Sequence, residues 1–123
     1  MLKEYIKILV MLLILDIPVI MYINNKMYFT MFNKINNNKN MIINNYKIIS
    51  AILAYLFLAY AIYYFIIKKN LTKFDALILG IIIYGVYNTT NYFSINNYSG
   101  EVAIKDTIWG GILFYLVTSF YRA

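Results

Sequence analysis

The run Ile48-Ile-Ser-Ala-Ile-Leu-Ala-Tyr-Leu-Phe-Leu-Ala-Tyr-Ala-Ile-Tyr-Tyr-Phe-Ile-Ile67 holds no charged residue. From Ala51 onward it presents apolar or tyrosine side chains on every face of a helix. A buried helix of a soluble bundle keeps a polar stripe at the helical period, and this run has none. Its length also suits a crossing of hydrocarbon about 30 Å thick, which takes roughly 20 residues in helical form. Lipid, rather than water, is the solvent that such a segment fits.

Three further stretches lie to either side of it. The first runs from about Tyr5 to Ile23, interrupted by Lys7 and Asp16; the others run from about Ala76 to Phe93 and from Val102 to Tyr121. Lys105 and Asp106 stand in the first turns of the last stretch. The fold expected is all-α: one polytopic transmembrane domain with spans near 5–23, 48–67, 76–93 and 102–121. The links Lys68–Lys73 and Ser94–Glu101 are short, which forces neighbouring spans into an antiparallel four-helix bundle. The long connection, 24–47, is rich in Asn and Lys. Within it Met27-Tyr-Phe-Thr-Met-Phe32 is an apolar island suited to lying in the membrane interface, and Asn36-Asn-Asn-Lys-Asn40 reads as a solvated turn. A cleaved leader is not expected at the start, because Tyr22-Ile-Asn-Asn-Lys26 lacks a small-residue cleavage site.

Composition agrees with the spans. Of 123 residues, 63% are hydrophobic and 13% charged, against about 25% charged in a soluble domain. Eleven basic and five acidic residues are too few to cover the surface of a small soluble protein. Heavy use of Ile, Asn, Lys, Tyr and Phe points to an A/T-rich genome, whether organellar, protist, low-GC bacterial or viral. There is no cysteine and no histidine, which excludes disulfides, thiolate and imidazole metal sites, cysteine nucleophiles and His-based acid–base chemistry. No cofactor, metal or catalytic residue is expected.

The net charge of +6 is spread over the loops at both faces without a basic stripe, so nucleic acid is not an expected partner. In a four-span topology Lys3, Lys7, Lys68, Lys69, Lys73 and Arg122 share one side, and Lys26, Lys34, Lys39, Lys47 and Lys105 the other. Crowding of three lysines into one short turn places the termini on the inner, cytoplasmic face. Tyrosines cluster at span ends as an interfacial belt, while Tyr55, Tyr60, Tyr84 and Tyr87 sit deeper and need hydrogen-bond partners.

Three polar features cost energy inside lipid. Asp16 lies near the middle of the first span, two residues before Pro18, which removes a backbone hydrogen bond and predicts a kink. An ionised carboxylate there costs about 2.5–3.5 kcal/mol, so it should face the bundle. In Tyr84-Gly-Val-Tyr-Asn-Thr-Thr-Asn91, the residues Gly80, Tyr84, Tyr87, Asn88 and Asn91 fall on one helical stripe, with Thr90 beside them; such groups act as interhelical glue. In Asp106-Thr-Ile-Trp-Gly-Gly111, Asp106 meets the positive end of a helix, Trp109 follows one turn on, and Gly110 and Gly111 permit close helix approach. A polar network of Asp106 with Asn91, Asn88 and Tyr84 is expected, since the short third link puts them at similar depth. Asp16 and Asp106 start about half a helix apart, which argues against a paired acid and base acting on lipid.

The pattern Tyr-Gly-x-Tyr-[Asp/Asn]-x-Thr-Asn, followed about fourteen residues later by Asp-x-x-Trp-Gly, resembles the signature of a small four-span membrane-protein family of unknown function found in bacteria and large DNA viruses. Tyr84, Gly85, Tyr87, Thr90, Asn91, Asp106, Trp109 and Gly110 carry the resemblance. Asn88 stands where that family has Asp, and Val19 and Tyr98 where it has tryptophans. The resemblance implies fold and membrane location and brings no catalytic role.

The function expected is a structural or accessory membrane subunit of a larger assembly. The internal membrane or capsid of a large DNA virus is the leading setting, and an organellar or protist membrane the competing one. Its partners would be the lipid bilayer, other membrane or capsid proteins, and further copies of the chain. The alternative is an oligomeric transporter or channel for a proton, ion or small solute, lined by Asp16, Asn88, Asn91 and Asp106.

Overall fold

A computed structural model describes residues 1–23, 25–37 and 43–123, and of Ile23 the backbone alone. Five helices make up the fold, and among the described residues there is no strand. Helix α1 spans Leu2–Pro18 and continues as a π-helical turn over Val19–Ile23. Helix α2 spans Asn25–Ile35, α3 Asn45–Ile62 with a π-helical extension Tyr63–Ile67, α4 Lys73–Ser94, and α5 Gly100–Arg122. The apolar island expected at the interface lies within α2. Of the Asn36–Asn40 tract, Asn36 and Asn37 form a turn and the rest falls outside the described residues.

Local chemistry explains where helices begin and end. Asn44 accepts the Lys47 amide and Ser99 the Val102 amide, at 3.0 and 3.2 Å, each satisfying a free N–H at a helix start for about 1 kcal/mol. Thr72 and Asp75 form a reciprocal capping box at the start of α4. Asn37, Asn70 and Asn97 have φ of 56°, 54° and 66°. Each follows the end of a helical segment, where a left-handed residue is wanted and asparagine tolerates it better than other non-glycine residues. At Pro18 the helix is not broken: the Val19 amide reaches back to the Asp16 carbonyl, and the widened π turn that follows absorbs the missing bond.

Among the described residues two segments are long and apolar enough to cross a membrane: Leu2–Tyr22, with mean hydropathy 2.1, and Asn45–Ile67, with 2.0. The other two expected spans fall within α4 and α5, which are as long. The run Asn88–Asn91 dilutes the apolar character of α4, and Glu101, Lys105 and Asp106 that of α5.

Helices α4 and α5 form the tightest pairing, a hairpin whose contacts run in opposite senses along the two helices. The Leu77 carbonyl and Ile81 lie against Gly111, Gly80 against Gly110, Gly85 opposite Thr107, and Asn88 meets Asp106. A Cβ on Gly80 would lie 2.3 Å from the Gly110 carbonyl oxygen, and one on Gly110 would lie 2.2 Å from the Tyr84 ring. These two positions admit no side chain. Gly85 is different: its nearest neighbour, the Thr107 methyl, leaves ordinary contact distance.

Helix α1 packs on both α5 and α3. The buried core joins Ile8 and Leu12 of α1, Ala59 and Ile62 of α3, and Leu113, Phe114 and Val117 of α5. Helix α3 leans on α1 rather than on α4. It meets α4 chiefly through its π-helical end, next to the tight turn that links them. The outer faces are strongly apolar, with Phe57 72% exposed, as suits surfaces turned to hydrocarbon.

Candidate functional site

Asp16 closes the last turn of α1 and is 4% exposed. Its Oδ1 accepts the Trp109 indole N–H at 2.8 Å, and its Oδ2 accepts the Tyr55 hydroxyl at 2.7 Å. One carboxylate thereby ties α1 to α5 and α3. Asp106 lies one turn before Trp109 on the same face of α5. Its Oδ1 accepts the Tyr28 hydroxyl at 2.5 Å and its Oδ2 the Asn88 amide at 2.8 Å. Asn88, wholly buried, also donates to the Tyr84 carbonyl and accepts the Tyr98 hydroxyl, both at 2.8 Å. The second carboxylate thus ties α5 to α2, α4 and the loop between α4 and α5.

Both carboxylates border one cavity of about 580 Å³. Tyr28, Tyr55, Tyr84 and Tyr98 stand beside them, and Ala51, Ala54, Leu58 and Ile83 supply an apolar wall from α3 and α4. Helix α2 covers one end with Tyr28, Phe29 and Phe32; its Lys34 carbonyl accepts the Asn97 side-chain amide at 3.3 Å, fastening α2 to the α4–α5 loop. Among the described residues no lysine or arginine lines the cavity, and none forms an ion pair with either aspartate.

Each carboxylate oxygen carries one hydrogen bond and keeps a second lone pair. The indole and amide can only donate, which fixes Asp16 Oδ1 and Asp106 Oδ2 as acceptors. Burial, and after it the bond to Asp106, push the Tyr28 phenol well above its ordinary range; burial likewise raises Tyr98. Both phenols therefore stay protonated donors at neutral pH. Among the described residues no group of three or more His, Cys, Asp or Glu side chains could hold a metal ion.

The residues singled out from the sequence do not all meet. Asp16 and Trp109 belong to one of the hydrogen-bonded sets just described, and Asn88, Asp106 and the Tyr84 backbone to the other. The Asp106 oxygens are taken by Tyr28 and Asn88, so the expected bond to Asn91 is replaced by one from α2, and Asn91 stays half-buried. Tyr87 edges the cavity while remaining 58% exposed. Thr90 faces outward and offers its carbonyl to Ser94. The two aspartates, expected to start half a helix apart, border one cavity, with Asp16 bonded to Trp109 three residues beyond Asp106. Tyr28 and Tyr98 were not expected as donors: one sits in an apolar island, the other in a polar loop, and neither position signals a buried partner. Tyr55 stood out as a deep tyrosine in need of one.

Helices of this apolarity, with their polar side chains turned inward onto buried carboxylates, define an all-helical membrane protein. A family model described as "Predicted membrane protein (DUF2177)" matches residues 1–121, and the chain belongs to that family. No curated protein and no solved structure matches it.

Proposed function

We propose that the chain is a polytopic membrane protein whose helices α1, α3, α4 and α5 each cross the bilayer in antiparallel order, and that it binds and passes on a small solute held between them. The observation that carries the reading is the convergence of carboxylates from the first and last helices on a single cavity. Intramembrane carboxylates are costly and mark ion or substrate paths, and pockets of about 300–1,000 Å³ with a few converging polar groups are the usual form of small-molecule sites. The proposal assigns no catalysis and no cofactor. Native mass spectrometry of the protein released from its own membrane tests it. A small molecule retained by the wild type and lost from Asp16→Asn supports the reading; a bare polypeptide mass from both nanodiscs and mild detergent overturns it.

A second reading rests on α3. Ile48, Ile49, Ile52 and Phe57 form an exposed apolar face on a helix that leans chiefly on α1. An accessory subunit of a larger membrane assembly, such as the internal membrane of a DNA virus particle, would cover that face with a neighbouring protein or a second copy. Cross-linking from Phe57 in the native membrane separates the cases: adducts to one protein in fixed ratio support the subunit, and adducts to lipid alone remove it.

A further inference from the structure

We infer that the cavity takes a lipophilic organic cation, an ammonium group on an aromatic or alkyl body, and that this ligand arrives from the lipid through the gap between α3 and α4. The inference rests on the solute-binding reading above and adds the chemical class and the route.

Charge comes first. Asp16 and Asp106 border the cavity together, and among the described residues no lysine or arginine lines it or pairs with them. Negative charge left unpaired in a low-dielectric site is costly, so a positive ligand gains there what an anion would lose. The carboxylate oxygens each keep a lone pair for an ammonium N–H. The second consideration is the wall. Tyr28, Phe29, Phe32, Tyr55, Tyr84 and Tyr98 surround the same space, and aromatic rings attract organic ammonium groups, more strongly where water is excluded. A bare inorganic cation fits poorly. The remaining lining, with Ala51, Ala54, Leu58 and Ile83, cannot replace its hydration shell, and no group of three ligating side chains is present among the described residues.

The route follows from the helix arrangement. Helix α3 rests on α1 and meets α4 chiefly near their shared turn, so the two are less closely packed toward the other end. There Ala51 and Ala54 of α3 face the cavity opposite Ile83 and Tyr87 of α4. Ala51, Ala54 and Tyr87 are also exposed. The cavity therefore opens sideways between α3 and α4, where small side chains leave the gap unfilled. Its axial end is covered by α2.

The single tryptophan of the chain is Trp109, bonded to Asp16, so indole emission reports on the site directly. The full chain in phosphatidylcholine nanodiscs is titrated with four probes sharing one body: phenylbutylamine, its trimethylammonium analogue, phenylbutanol and phenylbutyrate. Saturable emission changes are expected with both ammonium probes, at least about tenfold weaker with the alcohol, and absent with the carboxylate. Asp16→Asn with Asp106→Asn should erase the preference for the ammonium probes over the alcohol. Ala54→Leu leaves the carboxylates in place and should slow the onset of the emission change. Equal binding of amine and alcohol, or tighter binding of phenylbutyrate, overturns the cation assignment. An onset rate unchanged in Ala54→Leu overturns the lateral route. If no probe binds while native mass spectrometry still finds a retained molecule, the cation class falls and the solute-binding reading stands; if neither finds a ligand, both fall.

Discussion

A single aspartate shows how tightly residue chemistry and packing are joined here. Asp16 is held by one donor from α3 and one from α5, so removing either leaves a buried acceptor with a single bond. Trp109→Phe keeps the ring and deletes the N–H. It should lower stability by roughly 0.6–2 kcal/mol, the range for hydrogen bonds between membrane helices, read by reversible unfolding in bicelles. A loss below the scatter of the measurement would mean that the indole bond is not formed in lipid. The acceptors of this site were legible in the sequence because Asp16, Asn88 and Asp106 interrupt apolar runs, where any polar group asks for a reason. Of the donors, Asn88, Trp109 and Tyr55 stood out as well, but Tyr28 and Tyr98 did not. With 14 tyrosines in the chain, those that anchor at the interface look the same as those that bond inward. The bonds that matter also join residues 39, 78 and 93 positions apart, separations that helical periodicity does not encode.

Among the elements, the α4–α5 hairpin is the rigid part. Gly110→Leu would drive a side chain into the Tyr84 ring and should cost about 1–3 kcal/mol as overpacking, whereas Gly85→Ala, with room beside Thr107, should be nearly neutral. The same unfolding assay compares them, and equal losses would contradict the close approach described. At the start of α4, the backbone amide and then the hydroxyl of Thr72 hold the Asp75 carboxyl below its ordinary value. A group lowered in the folded state stabilises above its unfolded value and loses that contribution as pH falls through the folded value. The stability gap between the wild type and Thr72→Ala should therefore narrow as pH drops through the carboxylate range; a gap that widens in acid would exclude the capping box. The helices themselves were readable from apolar runs and short links. The π-helical turns after Pro18 and Ile62 were not, since they answer backbone bonding rather than side-chain pattern. The covering role of α2 was hidden too, because an apolar island tells of burial without naming what lies beneath.

For the molecule as a whole, the open question is how many times it crosses the membrane. The family match and two strongly apolar segments make it a membrane protein; four crossings remain the proposal. The chain has no cysteine, so single cysteines placed at Lys3, Asn70 and Asn96 can be labelled one at a time with a membrane-impermeant thiol reagent. Four crossings require Lys3→Cys and Asn70→Cys to react from one side and Asn96→Cys from the other. Reaction of all three from one side would leave α4 and α5 as a hairpin that does not cross. The end bearing the chain termini and the α3–α4 turn carries Lys7, Lys68, Lys69 and Lys73 over the rings of Tyr121, Tyr64, Phe65, Phe74 and Tyr115. That belt of cations on aromatics suits a headgroup layer and lies away from the carboxylate cavity.

The hairpin has a consequence for biogenesis. Asn88 finds Asp106 and Tyr98 only after the chain has been made through α5, and until then the bare backbone at Gly80 has nothing to rest against. A chain ending just after Ser94 would keep the Asn88 bond to the Tyr84 carbonyl but lack the partners of its other N–H and of its side-chain oxygen. On the four-crossing proposal the two last helices are expected to leave the translocon as a unit, because a product truncated between them keeps these polar groups unmatched.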